Sequence, residues 1–286
     1  MKFLSFTTPA GADTWGVSID GTVHDLGPSG ANVAPSLNDL VAGSRFGEVT
    51  AEIAAAAPGY PEEQIGFLPP VQNSNKVLCI GVNYRSHQEE TGKTQQKAPT
   101  VFIRFADSQM GHGEPALMPA STTQYDYEGE MALVISKDAY RVQAADAWDY
   151  VAGYAAYNDF SVRDWQLAAT QWTPGKNFPG TGGFGPYLVP AADIENLDEM
   201  RLETRVNGEV RQSAKVGDLY FSIPEIIEYV TAFTPLAAGD VIVTGTPGGV
   251  GLFIEPKGSG FLKEGDVVEV EITGLGTLSN QVTLHA

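Results

Sequence analysis

Tyr125-Asp126-Tyr127-Glu128-Gly129-Glu130-Met131-Ala132-Leu133-Val134-Ile135 is the stretch on which the fold and the chemistry of this chain turn. Met131 to Ile135 are apolar without a break, the pattern of a strand covered on both faces. Side chains alternate along a strand, so Glu128 and Glu130 project to the same side. Two carboxylates that close resist ionising together unless a cation lies between them. A hard divalent ion with oxygen ligands is the simplest neutraliser, and it brings chemistry with it. An isolated Glu-x-Glu is more often a solvated strand face. The apolar run that follows argues against solvent exposure and moves the balance toward a metal site.

A third oxygen ligand follows about thirty residues on. Tyr154 to Gln166 has the pattern of a strand running into a helix, with Asp159 at the strand's carboxyl end. Ser161 and Asp164 have the spacing of a capping box, with Asp in place of the usual Glu or Gln. Arg163 and Gln166, three apart, share one helical face, and an arginine fork beside a metal-bound carboxylate suits an anionic substrate. His87 stands after the apolar strand that ends at Gly81, and Glu90 lies three residues beyond it. One helical turn would bring the two together, fixing the imidazole's tautomer and raising its basicity. A lone histidine after a strand is more often structural, as Arg163 alone would be a surface arginine; the joint occurrence carries the argument. His112, between Gly111 and Gly113, is the rival base, but its setting suggests a flexible loop.

In this order, Gly81-Val82-Asn83-Tyr84-x-x-His87-x-x-Glu90, Glu128-x-Glu130 and Asp159-x-Ser161-x-Arg163-Asp164-x-Gln166 resemble the fumarylacetoacetate hydrolase family. Gly175-Lys176-Asn177-Phe178, Ala238-Gly239-Asp240-Val241-Ile242 and Thr244-Gly245-Thr246-Pro247-Gly248-Gly249-Val250-Gly251 extend the resemblance to the C-terminus. One departure is clear: Phe178-Pro179-Gly180-Thr181 stands where the family has Phe-Asp-Thr, which bears on substrate specificity more than on the metal. The resemblance implies Mg²⁺ or Mn²⁺ on Glu128, Glu130 and Asp159, with His87 and Glu90 as the general base. It implies Lys176 at the substrate oxyanion, Arg163 and Gln166 holding the substrate, and Thr246 close to it from the glycine-rich loop. It further implies a rolled, mixed or antiparallel β-sheet catalytic domain over 71–286, a small N-terminal α+β domain over 1–70, and a homodimer.

Composition frames this reading. The 286 residues carry 17 basic and 35 acidic side chains, a net charge of −18. Such a field repels phosphate backbones and anionic membranes, so neither nucleic acid nor membrane is an expected partner. An anionic substrate then needs a local positive site. The single Cys79 lies in an apolar strand and excludes an internal disulfide; with no signal-peptide core or membrane-length apolar run, a cytoplasmic location is expected. Asp20-Gly21 marks a hairpin between 14–19 and 22–26, Ser36-x-x-Asp39 opens a helix, and Ser222 with Glu225 caps another. The Pro-rich 62–74 stretch suggests a linker, and 266–272 with 277–284 a last hairpin. Strands without regular βαβ alternation make the chain mainly β, in an α+β arrangement. Gly180-Thr181-Gly182-Gly183-Phe184-Gly185 matches a dinucleotide fingerprint, but Pro186 and a strand-like segment follow where a helix is required. The function expected is metal-dependent carbon–carbon hydrolysis of a 2,4-diketo acid of the acylpyruvate type. A 2-oxo acid decarboxylase, tautomerase or hydratase is the alternative, because one enolate chemistry serves all of them. An acidic, non-catalytic metal- or ligand-binding module is the reading from another class, and the His87–Glu90 spacing speaks against it.

Overall fold

A computed structural model describes residues 1–92 and 97–285. The architecture is strand-dominated and mixed, as expected. Its largest sheet has 12 strands, and a second has five, made of 209–215, 201–206, 267–272, 276–285 and 116–119. The middle of the large sheet is Gly182–Pro190, Val151–Asp159, Gly129–Ile135, Val241–Val243 and Val77–Gly81, in that order. Most pairs are antiparallel, and 241–243 joins 77–81 in parallel. Gly129–Ile135 and Val151–Asp159 are buried along their whole lengths, which the unbroken apolar run Met131 to Ile135 foreshadows for the first.

Alternation along these strands separates two cores. Met131, Leu133 and Ile135 face the five-stranded sheet and the helix Ile223–Phe233, meeting Leu202, Ile226, Val270 and Leu278. Ala132 and Val134 face the other way, with Ala155, Tyr157, Cys79 and Val243, against Trp15, Leu37 and Val41 from the N-terminal part. The N-terminal strands join the large sheet where Phe3 pairs with Leu188. The 62–74 stretch carries a strand, Gly66–Leu68, antiparallel to Lys2–Thr7. It forms because Phe67 packs its ring on Tyr187 and His112.

Local signals behave unevenly. Asp20 and Gly21 both have positive φ, 48° and 78°, as a two-residue hairpin turn requires. Ser36 accepts the Asp39 N–H, and the Ser222–Glu225 capping box is complete. The Ser161–Asp164 box does not form. The Ser161 hydroxyl donates to the Asp159 carbonyl, and Asp164 accepts from Thr122 instead, so the helix is the single turn Arg163–Gln166. Among the described residues no helix is long and apolar enough to cross a membrane.

Candidate active site

Strand register assembles the carboxylates. Gly129 pairs with Asn158, and the Asp159 N–H donates to the Glu128 carbonyl at 2.9 Å, so the two acids face across adjacent strands. Glu128 and Glu130 continue the row of Ala132 and Val134, and Asp159 continues that of Ala155 and Tyr157, beyond the end of one core. Ligand atoms of Glu128, Glu130 and Asp159 lie within 4.8 Å of one another, and all three residues are buried.

Cations surround two of the three. Lys176 donates to Glu128 Oε2 at 2.7 Å and to Asp159 Oδ2 at 2.5 Å. Arg163 donates to Glu128 Oε1 at 2.6 Å, to Asp126 Oδ2 at 2.8 Å and to Gln166 Oε1 at 2.9 Å. Arg104 binds the other oxygen of Asp159 and donates to Thr181 at 2.7 Å. Among the described residues Glu130 accepts only the Gly245 N–H, at 2.6 Å. Gly245 has φ +106°, and a Cβ there would stand 2.6 Å from that of Asn83, so glycine alone lets this amide approach.

Four buried carboxylates, Asp126, Glu128, Glu130 and Asp159, thus meet three buried cations, Arg104, Arg163 and Lys176. Burial pushes the Glu128 carboxyl up, but Lys176 and Arg163 outweigh it and hold the group well below the usual range. For Glu130, burial and then the charges of Asp159 and Glu128 push the carboxyl well above that range. Burial lowers the Lys176 ammonium, yet Asp159 and Glu128 more than compensate and raise it. The unbalanced carboxylate of Glu130, beside two other oxygen donors, is the deficit a hard divalent cation fills; the residues fit such an ion.

Through His87, the His87–Glu90 pair borders the cavity that Glu128 and Glu130 also line. Val82 leaves the strand in the left-handed region, φ 57°, and turns the chain into the helix Arg85–Thr91. On that helix His87 Nδ1 lies 2.6 Å from Glu90 Oε1, while Glu90 Oε2 accepts the Gly249 N–H at 2.9 Å. With a carboxylate as its partner, Nδ1 carries the donated proton, which leaves Nε2 as the acceptor nitrogen of the neutral ring. A cavity of about 220 Å³ is lined by His87, Glu128, Glu130, Arg163, Lys176 and Thr246. Gln166 lines it too, with Phe102 and Trp172 as an apolar wall. Asp159 sits behind Lys176, and Glu90 reaches the cavity through His87. The Thr246 hydroxyl is committed, donating to the Gly129 carbonyl and accepting from Gln212.

Some placements differ from the sequence expectation. The donors of Arg163 engage Asp126, Glu128 and Gln166, so the guanidinium braces a prospective ligand. His112 is no flexible loop residue, because Nδ1 accepts the Ser279 N–H at 3.1 Å and the ring stacks edge-on against Phe67. Arg104 and Asp126 escaped the sequence reading. Asp126 had a signal, since it extends the i, i+2 row of Glu128 and Glu130. Arg104 had none beyond lying at the end of an apolar strand.

A mixed β-roll that buries three metal-competent carboxylates beside a His–Glu pair defines an enzyme's active-site cavity. Residues 76–283 match the model of the fumarylacetoacetate (FAA) hydrolase C-terminal family, and the chain belongs to that family. It is 43% identical over 228 residues to oxaloacetate tautomerase YisK of Bacillus subtilis, covering 78% of this chain and 75% of that one. The mitochondrial oxaloacetate tautomerase Fahd2a of Rattus norvegicus is 38% identical over 231 residues, covering 80% of this chain and 73% of the rat protein. The solved fumarylacetoacetate hydrolase of Exiguobacterium antarcticum superposes with a TM-score of 0.88 at 32% identity, over 100% of both chains.

Proposed function

We propose that this protein interconverts the enol and keto forms of a small 2-oxo acid of the oxaloacetate type. The observation that carries this is the His87–Glu90 pair, its Nδ1 committed, opening on the cavity of the carboxylate triad. Glu128, Glu130 and Asp159 would hold Mg²⁺ or Mn²⁺. Bound there, the ion supplies positive charge that polarises the 2-oxo acid and stabilises enolate character. His87 Nε2 takes a proton from the carbon next to the ketone; the C–H electrons form the C=C bond and the C=O π electrons move onto oxygen. Return of the proton from the imidazolium to that oxygen gives the enol, the reverse order giving the ketone. Glu90 holds the imidazole and steadies its protonated form. Lys176 adds a positive charge near the developing oxyanion. Arg163 and Gln166 hold Glu128 in place, and Phe102 and Trp172 keep water from the proton in transit.

The names of the two tautomerases at 38–43% identity favour this chemistry. Hydrolysis of an acylpyruvate, expected from the sequence, is the second reading, and the Exiguobacterium antarcticum structure favours it. There His87 would take its proton from water attacking the acyl carbonyl. The two separate in one experiment with purified protein and Mg²⁺ or Mn²⁺. Decay of the oxaloacetate enol absorbance is followed beside pyruvate release from acylpyruvates. Fast enol decay with no pyruvate is the expected result; pyruvate release without accelerated enol decay overturns the tautomerase reading.

A further inference from the structure

Three basic side chains line the cavity, Arg163, Lys176 and Lys257. Both of the first two are buried and bonded to carboxylates. Lys257 is exposed, and its ammonium pairs with no carboxylate among the described residues; it lies 5.4 Å from the centre of the Phe253 ring. That same ring meets the His87 imidazole edge-on at 6.2 Å, so Lys257 and His87 both border Phe253 on the cavity wall.

The loop that carries Lys257 is held at both ends. Asp126 accepts the N–H groups of Gly251 at 2.7 Å and Leu252 at 3.0 Å while it binds Arg163. Beyond the lysine, Gly258 N–H donates back to the Leu252 carbonyl at 3.1 Å, and Ser259 N–H to Pro256 at 2.8 Å. A cation on a braced loop, facing a cavity in a chain of net charge −18, is a fixed point of attraction for an anion.

We propose that Lys257 binds the distal carboxylate of a dicarboxylate substrate, selecting 2-oxo diacids over monoacids of the same length. This rests on the proposed 2-oxo acid site. The end bearing the ketone belongs to the triad, and a second carboxylate in the same cavity finds one cation not already neutralised. Lys257 would then be a substrate-binding residue that leaves the proton transfer itself untouched.

Two inert 2-hydroxy acids test it, L-malate and 2-hydroxybutanoate, which differ only in a distal carboxylate or methyl group. Calorimetry on the Mg²⁺-loaded protein should show tighter binding of malate. Lys257→Met should weaken malate binding about tenfold, the low end for a charge-assisted hydrogen bond. Binding of 2-hydroxybutanoate should not change, which shows fold and triad intact, and Lys257→Arg should keep the preference. An unchanged malate preference in Lys257→Met overturns the proposal, as does a wild type with no preference. A protein that prefers malate through Lys257 yet leaves the oxaloacetate enol untouched sinks the tautomerase reading alone.

Discussion

Glu128 and Glu130 are two residues apart, yet the folded protein holds them in opposite states. Glu128 is gripped by Lys176 and Arg163, whereas Glu130 has one backbone amide. In metal-free protein, Glu128→Gln should therefore cost about 1–3 kcal/mol, because Lys176 and Arg163 each lose one of two carboxylate partners and keep Asp159 and Asp126. Glu130→Gln should cost nothing or stabilise, because it removes an uncompensated acid. Both should abolish the stabilisation that added Mn²⁺ confers. Thermal unfolding with and without chelator reads all four quantities, and equal losses for the two variants would refute the charge assignment. His87→Ala should lower kcat roughly 10²–10⁴-fold while Mn²⁺ affinity, followed by calorimetry, stays at the wild-type value. Near-full activity in that variant across the pH range would make His87 structural.

At the scale of elements, the site depends on how closely two sheets approach. Gly129, between the two glutamates, would place a Cβ 1.9 Å from Thr204 Oγ1 on the five-stranded sheet. Gly129→Ala should cost about 1–3 kcal/mol through overpacking and weaken metal binding as the glutamates are pushed apart. Wild-type urea midpoint and Mn²⁺ affinity in this variant would show slack between the sheets. His112 ties the strand 276–285 to the distant turn at 111–113, and burial pulls its imidazole below the ordinary 6.5. Folded protein thus takes up this proton less readily than the unfolded chain. Its contribution is complete above about pH 6.5 and is lost as pH falls below that value. The stability advantage of wild type over His112→Gln should accordingly shrink between about pH 7.5 and about pH 5.5, measured by denaturant titration. An advantage that is constant with pH would mean that the histidine titrates alike in both states.

For the whole molecule, a net charge of −18 opposes the approach of an anionic substrate. Raising the ionic strength from about 10 mM to about 150 mM shortens the Debye length from roughly 30 Å to roughly 8 Å. At saturating metal this should raise kcat/KM for a dianionic substrate; a fall would show that local cations dominate even at long range. The proposed homodimer has a surface to use. Ile103, Phe105, Trp165 and Leu167 are exposed apolar side chains on segments joined by the Phe105–Asn177 hydrogen bond and the Trp165–Phe178 contact. Light scattering should show a dimer that Leu167→Asp converts to monomer.

Alternation and apolar runs made strands over 77–81, over 131–135 and from Tyr154 to Asp159 legible from the chain alone, short of the observed starts at Gly129 and Val151. With them came the shared side of Glu128 and Glu130, the helical spacing of His87 to Glu90, and the family. These depend on period and short spacing, which a linear pattern carries. Arg104 on Asp159, Asp126 holding both Arg163 and the loop of Lys257, and the enclosure of Lys176 by two acids join residues 17 to 126 positions apart. Ser161 and Asp164 had a cap's spacing, but Asp164 is drawn off by Thr122, 42 positions away, and Ser161 turns to the neighbouring Asp159 carbonyl. Which carboxylates acquire a cation, and which one is left for a metal, is decided by strand register and sheet packing, because charge compensation acts through distance in the fold and not along the chain.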